Sequence, residues 1–330
     1  MTTTKIDDLI YSESKLDALT LDNSIMSVFA LCPRKFLYRK VLKLVPKLEA
    51  PALTFGTAIH EALFAYYSGQ PPVEVLRAFT VAAQREESKI TVRMSEAKDK
   101  KQKEEYSIEF GLEFMARYMA HYPLDTETFK VKMDSENKPM LEMGFSLQLG
   151  NGVVIGKMDG VIDDGDLLEN KTTTMYLTDD FLAQYNVHNQ VSLYMAALRE
   201  LLGRCPTRCL MNVMRVKDYK RKPDEKESKL FARVTVRRSD TQLDQTLRQL
   251  EFRINQIKNF LRIGFDAFYQ NAPEACTYKF VTCEYRPLCM AQEKDLIEMI
   301  ADGNYRQEEW HPYDADGAKS NVEIAHRFEA

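Results

Sequence analysis

Two apolar segments joined by an acidic turn constrain this chain more than any other stretch: VVIGKMDGVI (153–162), then Asp163-Asp164-Gly165-Asp166, then LLENKTT (167–173). Branched and aliphatic runs with a D-G turn between them read as an antiparallel strand pair. The aliphatic residues on both sides of the charges place these strands in a core. In a strand, residues two apart project to one face. Glu169 and Lys171 therefore point together, and the partner strand can bring Asp159 beside them. Such a group is either a solvated charged face or a centre for a hard cation, because Mg²⁺ prefers oxygen ligands. In the second case the lysine would orient an attacking water or offset charge on a phosphate.

The flanking sequence supplies helices on both sides. Residues 22–43 read as a helix entered by Asp22, Asn23 or Ser24 and interrupted at Cys32–Pro33. Another helix starts at Gly56 and runs to 67, carrying His60, which taken alone is either a satisfied histidine or a ligand. Residues 73–122 read as a helical insertion, highly charged in its middle and ended by Pro123. It either covers the site or is simply a solvated surface. Strands are expected at 128–133 and 140–150 ahead of the hairpin, and at 209–217 and 230–238 after it, the last two joined by a charged loop, 218–228. Between them a helix carries an apolar stripe of Val187, Val191, Tyr194, Leu198 and Leu201. A long helix over about 240–268 carries a second stripe, Leu243, Leu247, Leu250, Ile254, Ile257 and Leu261. The order predicts an α/β fold with one central mixed β-sheet flanked by helices. Residues 1–290 form a single domain, and 291–330, with the one tryptophan, form a polar tail.

Composition matters here for what it excludes. The formal charge is −4, so contact with nucleic acid needs a local patch or metal ions. One such patch interleaves Arg34, Lys35, Arg39 and Lys40 with Phe36 and Tyr38, a mixture suited to phosphate contact and base stacking. It equally suits an amphipathic helix with a solvated face. No apolar run approaches the roughly 18–20 residues that span a membrane, and the first residues lack a basic start followed by an apolar run, so a cytoplasmic location is expected. No G-x-x-x-x-G-K-[ST] motif is present, so the chain is not itself a nucleotide-driven motor. Of six cysteines, Cys276, Cys283 and Cys289 cluster near the end of the domain, and dense cysteine in such a chain reads as a metal site. Cys32 is the candidate fourth ligand. Cys205 and Cys209 flank a turn and read as structural or as a second ligand pair.

Taken in order, Gly56-x-x-x-His60, Asp159, Glu169-x-Lys171 and Gln190-x-x-x-Tyr194 resemble the RecB-like branch of the PD-(D/E)XK nuclease superfamily, over residues 22–290. The resemblance implies a restriction-endonuclease-like core. It implies Mg²⁺ or Mn²⁺ held by His60, Asp159, Glu169 and the Asn170 carbonyl, with Lys171 assisting the attacking water. Gln190 and Tyr194 would line the catalytic site near DNA, and Glu142 stands where the family often has an acid. Met158 precedes Asp159 in place of the proline, as in many RecB-like members. Cys32 paired with Cys276, Cys283 and Cys289 resembles the iron–sulfur members: AddB-type nucleases, CRISPR-adaptation exonucleases and phage relatives. There a cluster, commonly 4Fe–4S, staples the chain ends around the core. The usual C-x-x-C pair is missing, with Phe280 where the first cysteine would stand, so Cys276 would substitute. Four-thiolate zinc is the chemical alternative, and unrelated buried thiols the plain one.

The implied activity is metal-dependent hydrolysis of DNA, by an exonuclease acting on single strands or DNA ends in recombination, repair or phage DNA processing. Arg34, Lys35, Tyr38, Arg39, Gln190 and Tyr194 would contact the DNA, and the partner would be a separate helicase, recombinase or single-strand-binding protein. The alternative is a catalytically silent nuclease fold serving as a DNA-binding or scaffold subunit of a helicase–nuclease assembly. A lysine kept between carboxylates argues against it, since a scaffold has no physical need for one.

Overall fold

The computed structural model describes residues 19–46, 51–94, 107–216, 230–271, 275–278, 281–291, 299, 305–307 and 320–325. A short strand β1 (Thr20–Leu21) leads into helix α1 (Asn23–Leu31), whose N-cap Asp22 accepts the Ile25 N–H at 2.9 Å. The single helix expected over 22–43 is three pieces. Cys32 is extended, Pro33 restarts the chain as α2 (Pro33–Phe36), and a π-turn over Leu37–Val41 follows. Proline lacks the N–H that would have continued the first helix.

After β2 (Leu44–Pro46), α3 (Pro51–Tyr67) begins five residues before Gly56. The insertion forms helices at both ends, α4 (Pro72–Met94) and α5 (Ile108–His121), while its centre lies outside the described residues. The strand expected at 128–133 reduces to two isolated bridges, Val131 to Ile162 and Met133 to Pro139. Strands β3 (Leu141–Leu149), β4 (Gly152–Ile162) and β5 (Asp166–Thr173) follow as expected.

Next come α6 (Asp179–Ala183) and α7 (Asn189–Leu202). Because α7 starts at Asn189, Val187 does not head the apolar stripe and is 82% exposed, whereas Val191, Tyr194 and Leu198 are buried. Strands β6 (Cys209–Arg215) and β7 (Phe231–Val236) lead to α8 (Asp240–Ile263), opened by a reciprocal Ser239–Gln242 capping box. The loop at 218–228 lies outside the described residues. The remaining elements are β8 (Thr277–Tyr278), β9 (Val281–Thr282), α9 (Arg286–Met290), β10 (Tyr305–Gln307) and β11 (Ser320–Ala325).

The main sheet runs β11-β3-β4-β5-β6-β7, with β1 also against β4. It is mixed, as expected: β11 on β3, β5 on β6 and β1 on β4 are parallel, the rest antiparallel. The segment expected as a polar tail thus supplies an edge strand, and its other strand, β10, pairs with β2. Alternate residues of β5 and β6 divide between two cores. Leu167, Met211 and Val213 pack with α7 and α8 through Val191, Leu198, Leu247 and Ile254. Leu168, Leu210 and Met214 pack with α3, α4 and α5 through Ile59, Leu63, Phe79 and Phe114. The result is a helix–sheet–helix sandwich. Among the described residues no helix is long and apolar enough to cross a membrane.

Candidate active site

The site opens where the sheet divides. One edge of β4 is taken by β3 from Gly152 to Gly160, with the register skipping only the Glu142–Asp159 step. On the other edge β4 pairs with β1 at Val153–Val154 and with β5 at Gly160–Ile162, and the residues between carry no ladder there. Asp159 sits at the end of that gap. Its carboxylate replaces the missing ladder bond, accepting the Asn170 N–H at 2.6 Å. The notch leaves room for side chains that a continuous ladder would have closed off.

Three groups converge there. His60, from the helix α3 that passes over the sheet, has Nδ1 at 3.3 Å from both Asp159 Oδ1 and Glu142 Oε1. Ligand atoms of His60, Glu142 and Asp159 all lie within 4.8 Å of one another, and among the described residues no other such group of histidine, cysteine and carboxylate occurs. Glu142 reaches this point from a left-handed backbone, φ 48°, that costs a non-glycine residue about 1–2 kcal/mol. It is held by His60 and by Lys157 Nζ at 2.5 Å. Lys157, not anticipated from the sequence, stands two residues before Asp159, the same spacing that pairs Glu169 with Lys171.

Glu169 lies beside this trio. Its Oε1 accepts Lys171 Nζ at 2.9 Å and Gln190 Nε2 at 3.0 Å, and Gln190 Oε1 accepts Lys171 Nζ at 2.9 Å. Gln190 therefore locks the acid and the lysine into one geometry. Glu169 is 1% exposed, and among the described residues its Oε2 has no hydrogen-bond partner. Burial, with the Asp159 charge added, pushes the Glu169 carboxyl up to about 7, and Lys171 and His60 offset only part of it. Burial also disfavours ionised Asp159, but His60, Lys171 and the Asn170 N–H outweigh it and hold the carboxyl low. Against its own burial, His60 is raised to about 10 by Asp159 and Glu142. Lys171 is likewise raised despite burial, by Glu169 and Asp159, and stays an ammonium.

Around these lie supporting residues. Tyr194 is buried, edge-on to Phe145 with ring centroids 5.4 Å apart. Any side chain at Gly156 would strike both rings, so the glycine is needed for that packing. Tyr185 and His188, which the motif reading missed, sense the Lys171 charge from the loop before α7. On the opposite face, Asn170 is anchored. Asn212 Nδ2 donates to Asn170 Oδ1 at 2.8 Å and to the Tyr118 hydroxyl at 2.7 Å, and Tyr118 meets Tyr67 at 2.5 Å. Arg233 lies 3.5 Å from both tyrosines and is gripped by Glu127 through two 2.6 Å bonds.

The other sequence candidates lie elsewhere. Tyr38 is fully buried against Tyr285 and offers no ring face to a base, which corrects its expected DNA contact. Arg34 donates to the Phe268 and Phe265 carbonyls and stacks 3.7 Å over the Phe265 ring, and Lys35 pairs with Glu284 at 3.0 Å. Arg39 is exposed. The four candidate cysteines are not in disulfides. Burial raises the Cys289 thiol to about 11, with smaller contributions from Cys283 and Cys32, and Cys283 in turn senses Cys276. Among the described residues no three thiols come within the 4.8 Å of one another that marks the His60 group.

One imidazole with several carboxylate oxygens is a donor set for a hard divalent ion. The unpartnered Glu169 Oε2 fits it, because a buried ionised oxygen is costly unless a cation or donor meets it.

The family model for the PD-(D/E)XK nuclease superfamily matches residues 23–290. No curated protein matches the chain. Among five matching chains of known structure is a crystal structure of a protein of Eubacterium rectale provisionally described as an exonuclease. It is similar at 15% identity and a TM-score of 0.43, over 78% of this chain and 87% of that one. The chain belongs to the PD-(D/E)XK nuclease superfamily.

Proposed function

We propose that this chain is a Mg²⁺- or Mn²⁺-dependent deoxyribonuclease, an exonuclease acting on single-stranded DNA or DNA ends. It would work beside a separate helicase, recombinase or single-strand-binding protein in recombination, repair or phage DNA processing. The observation that carries the reading is the buried, unpartnered Glu169 Oε2 beside Asp159, His60 and the charged Lys171. His60, Asp159, Glu169 and the Asn170 carbonyl would hold the ion, with Glu142 completing the acidic wall. When bound, the ion supplies Lewis-acid polarisation of the phosphodiester and activation of water.

The chain's own residues do the rest. The Asn170 N–H fixes the Asp159 carboxylate. Gln190 fixes the Glu169–Lys171 pair, so the ammonium is presented in one orientation. As a cation with no lone pair, Lys171 donates to the phosphate or the attacking water and offsets charge building on phosphorus. Water oxygen bonds to phosphorus, the bond to the 3′ oxygen breaks, and a 5′-phosphate and a 3′-hydroxyl result. Incubating 5′- and 3′-labelled single strands and duplexes with Mn²⁺ tests this. Nucleotide-by-nucleotide shortening from one end is expected, and mid-chain products alone would overturn the exonuclease reading.

Cys32, Cys276, Cys283 and Cys289 are proposed to hold an iron–sulfur cluster, of the 4Fe–4S type. Support comes from the sequence pattern, one cysteine in the N-terminal helical segment and three near the end of the domain, none of them in a disulfide. Iron and sulfide assays on protein purified without oxygen should find both. Zinc in place of iron would overturn the assignment.

A further inference from the structure

Beyond Lys171 the structure contains a pair that the motif series does not use. Arg215 ends β6, opposite Thr173 in the parallel ladder, just as Val213 lies opposite Lys171. Two strand residues span about 7 Å, and residues two apart share a face, so Arg215 lies on the catalytic face one short step past Lys171. It is among the largest side chains buried completely, at 0% exposure.

Its cover is Tyr176. The guanidinium carbon lies 3.7 Å from the centre of that ring. Tyr176 itself is 62% exposed. It sits in the turn that leaves β5, where Met175 N–H donates to Thr173 Oγ1 at 3.1 Å and Thr178 N–H to the Tyr176 carbonyl at 2.9 Å. A large aromatic ring is thus held in a fixed plane, one side on a cation and most of its surface in water. Core packing has no use for such a ring. A guanidinium is attracted to an aromatic face, more strongly where it is desolvated, so Arg215 orders the ring before any ligand arrives. Pre-ordering lowers the cost of stacking on it.

We propose that Tyr176 is a stacking platform for an unpaired nucleobase next to the scissile phosphate, with Arg215 as the pedestal that orients the ring. The proposal rests on the nuclease reading above and deepens it by naming the substrate class. A base within a duplex already has neighbours on both faces, so the platform selects a single strand. Stacking of this kind is tolerant of sequence, because every base has a π-face.

The test is fluorescence anisotropy of a short labelled single-stranded oligonucleotide with the holoenzyme in Ca²⁺. Tyr176→Ala should weaken single-strand binding by about 5- to 100-fold and leave binding of a duplex of the same length unchanged, with a melting transition that stays cooperative although the contact to Arg215 is lost. Tyr176→Phe should bind like wild type. An abasic nucleotide moved along the oligonucleotide should reproduce the loss at one position, and there Tyr176→Ala should cost nothing further. Equal single-strand binding by wild type and Tyr176→Ala would overturn the platform, as would abasic losses that add to Tyr176→Ala at every position. Wild type that binds neither strand nor duplex would overturn the nuclease reading itself, and the platform with it.

Discussion

Asn212 is not itself a proposed metal ligand and touches only the side chain of Asn170 among them, yet replacing it with leucine should weaken metal binding. Asn212 is fully buried, and its Nδ2 is shared between Asn170 Oδ1 at 2.8 Å and the Tyr118 hydroxyl at 2.7 Å. Leucine leaves Asn170 Oδ1 without that donor in a site closed to water, while Tyr118 keeps Tyr67. One stranded buried acceptor costs about 1–3 kcal/mol. Asn212 Oδ1 has no partner among the described residues, so its removal recovers part of that. A net loss of about 1–2 kcal/mol should lower the melting temperature by about 2–6 °C. The metal effect is the more telling one. Asn170's side chain anchors the peptide whose N–H holds Asp159 at 2.6 Å. Loss of such outer support typically costs about 10- to 100-fold in metal affinity. Calorimetric titration with Mn²⁺ and thermal melts read the two effects separately. Tyr118→Phe, which spares the Asn212–Asn170 bond, should lose less affinity. A destabilised Asn212→Leu protein with wild-type Mn²⁺ affinity would show that the network supports the fold and does not position the site.

Two further outcomes follow from the buried charges. Glu169 titrates near 7 in the folded chain, above its unfolded value. Its contribution to metal-free stability is therefore complete below the usual carboxylate range and lost as pH rises through about 7. Mn²⁺ needs the ionised form, and His60 must also shed its proton, so the melting-temperature gain from Mn²⁺ should be larger at pH 8 than at pH 6. Equal gains would contradict the assignment of Glu169. Separately, Glu127→Gln strands the Arg233 guanidinium in a half-buried aromatic pocket and should cost about 3–5 kcal/mol in urea unfolding. A loss under 1 kcal/mol would mean that the pair is effectively solvated.

The hairpin at 153–173 was legible because aliphatic residues bracket its charges and strand spacing sends Glu169 and Lys171 to one face. Gln190 and Tyr194 were legible for the parallel reason, one helical turn on α7. What surrounds them was not. The notch exists because β1, two residues long, takes part of the β4 edge, and nothing in Thr20–Leu21 announces a strand. Glu142 enters through a left-handed backbone that its sequence context does not specify. Within the basic, aromatic run at 34–40, Pro33 and the π-turn change the residues per turn, and Tyr38 turns into the core, which residue type alone does not announce. Val187 fell off its stripe because a helix period says nothing about which residue begins the helix. The edge strand β11 offers too few apolar residues for an alternation to stand out from a polar segment.

The central claim, that Lys171 and its carboxylates form a metal-dependent nuclease centre, is tested most directly by one cleavage assay. Protein purified without oxygen is incubated with end-labelled single-stranded and duplex DNA in Mg²⁺ or Mn²⁺, beside Lys171→Ala and an EDTA control. Wild type should cleave, EDTA should abolish cleavage, and Lys171→Ala should fall by at least about 100-fold while still binding DNA. Wild type and Lys171→Ala equally silent on every substrate, with DNA still bound, would contradict the account and leave a nuclease fold that only binds.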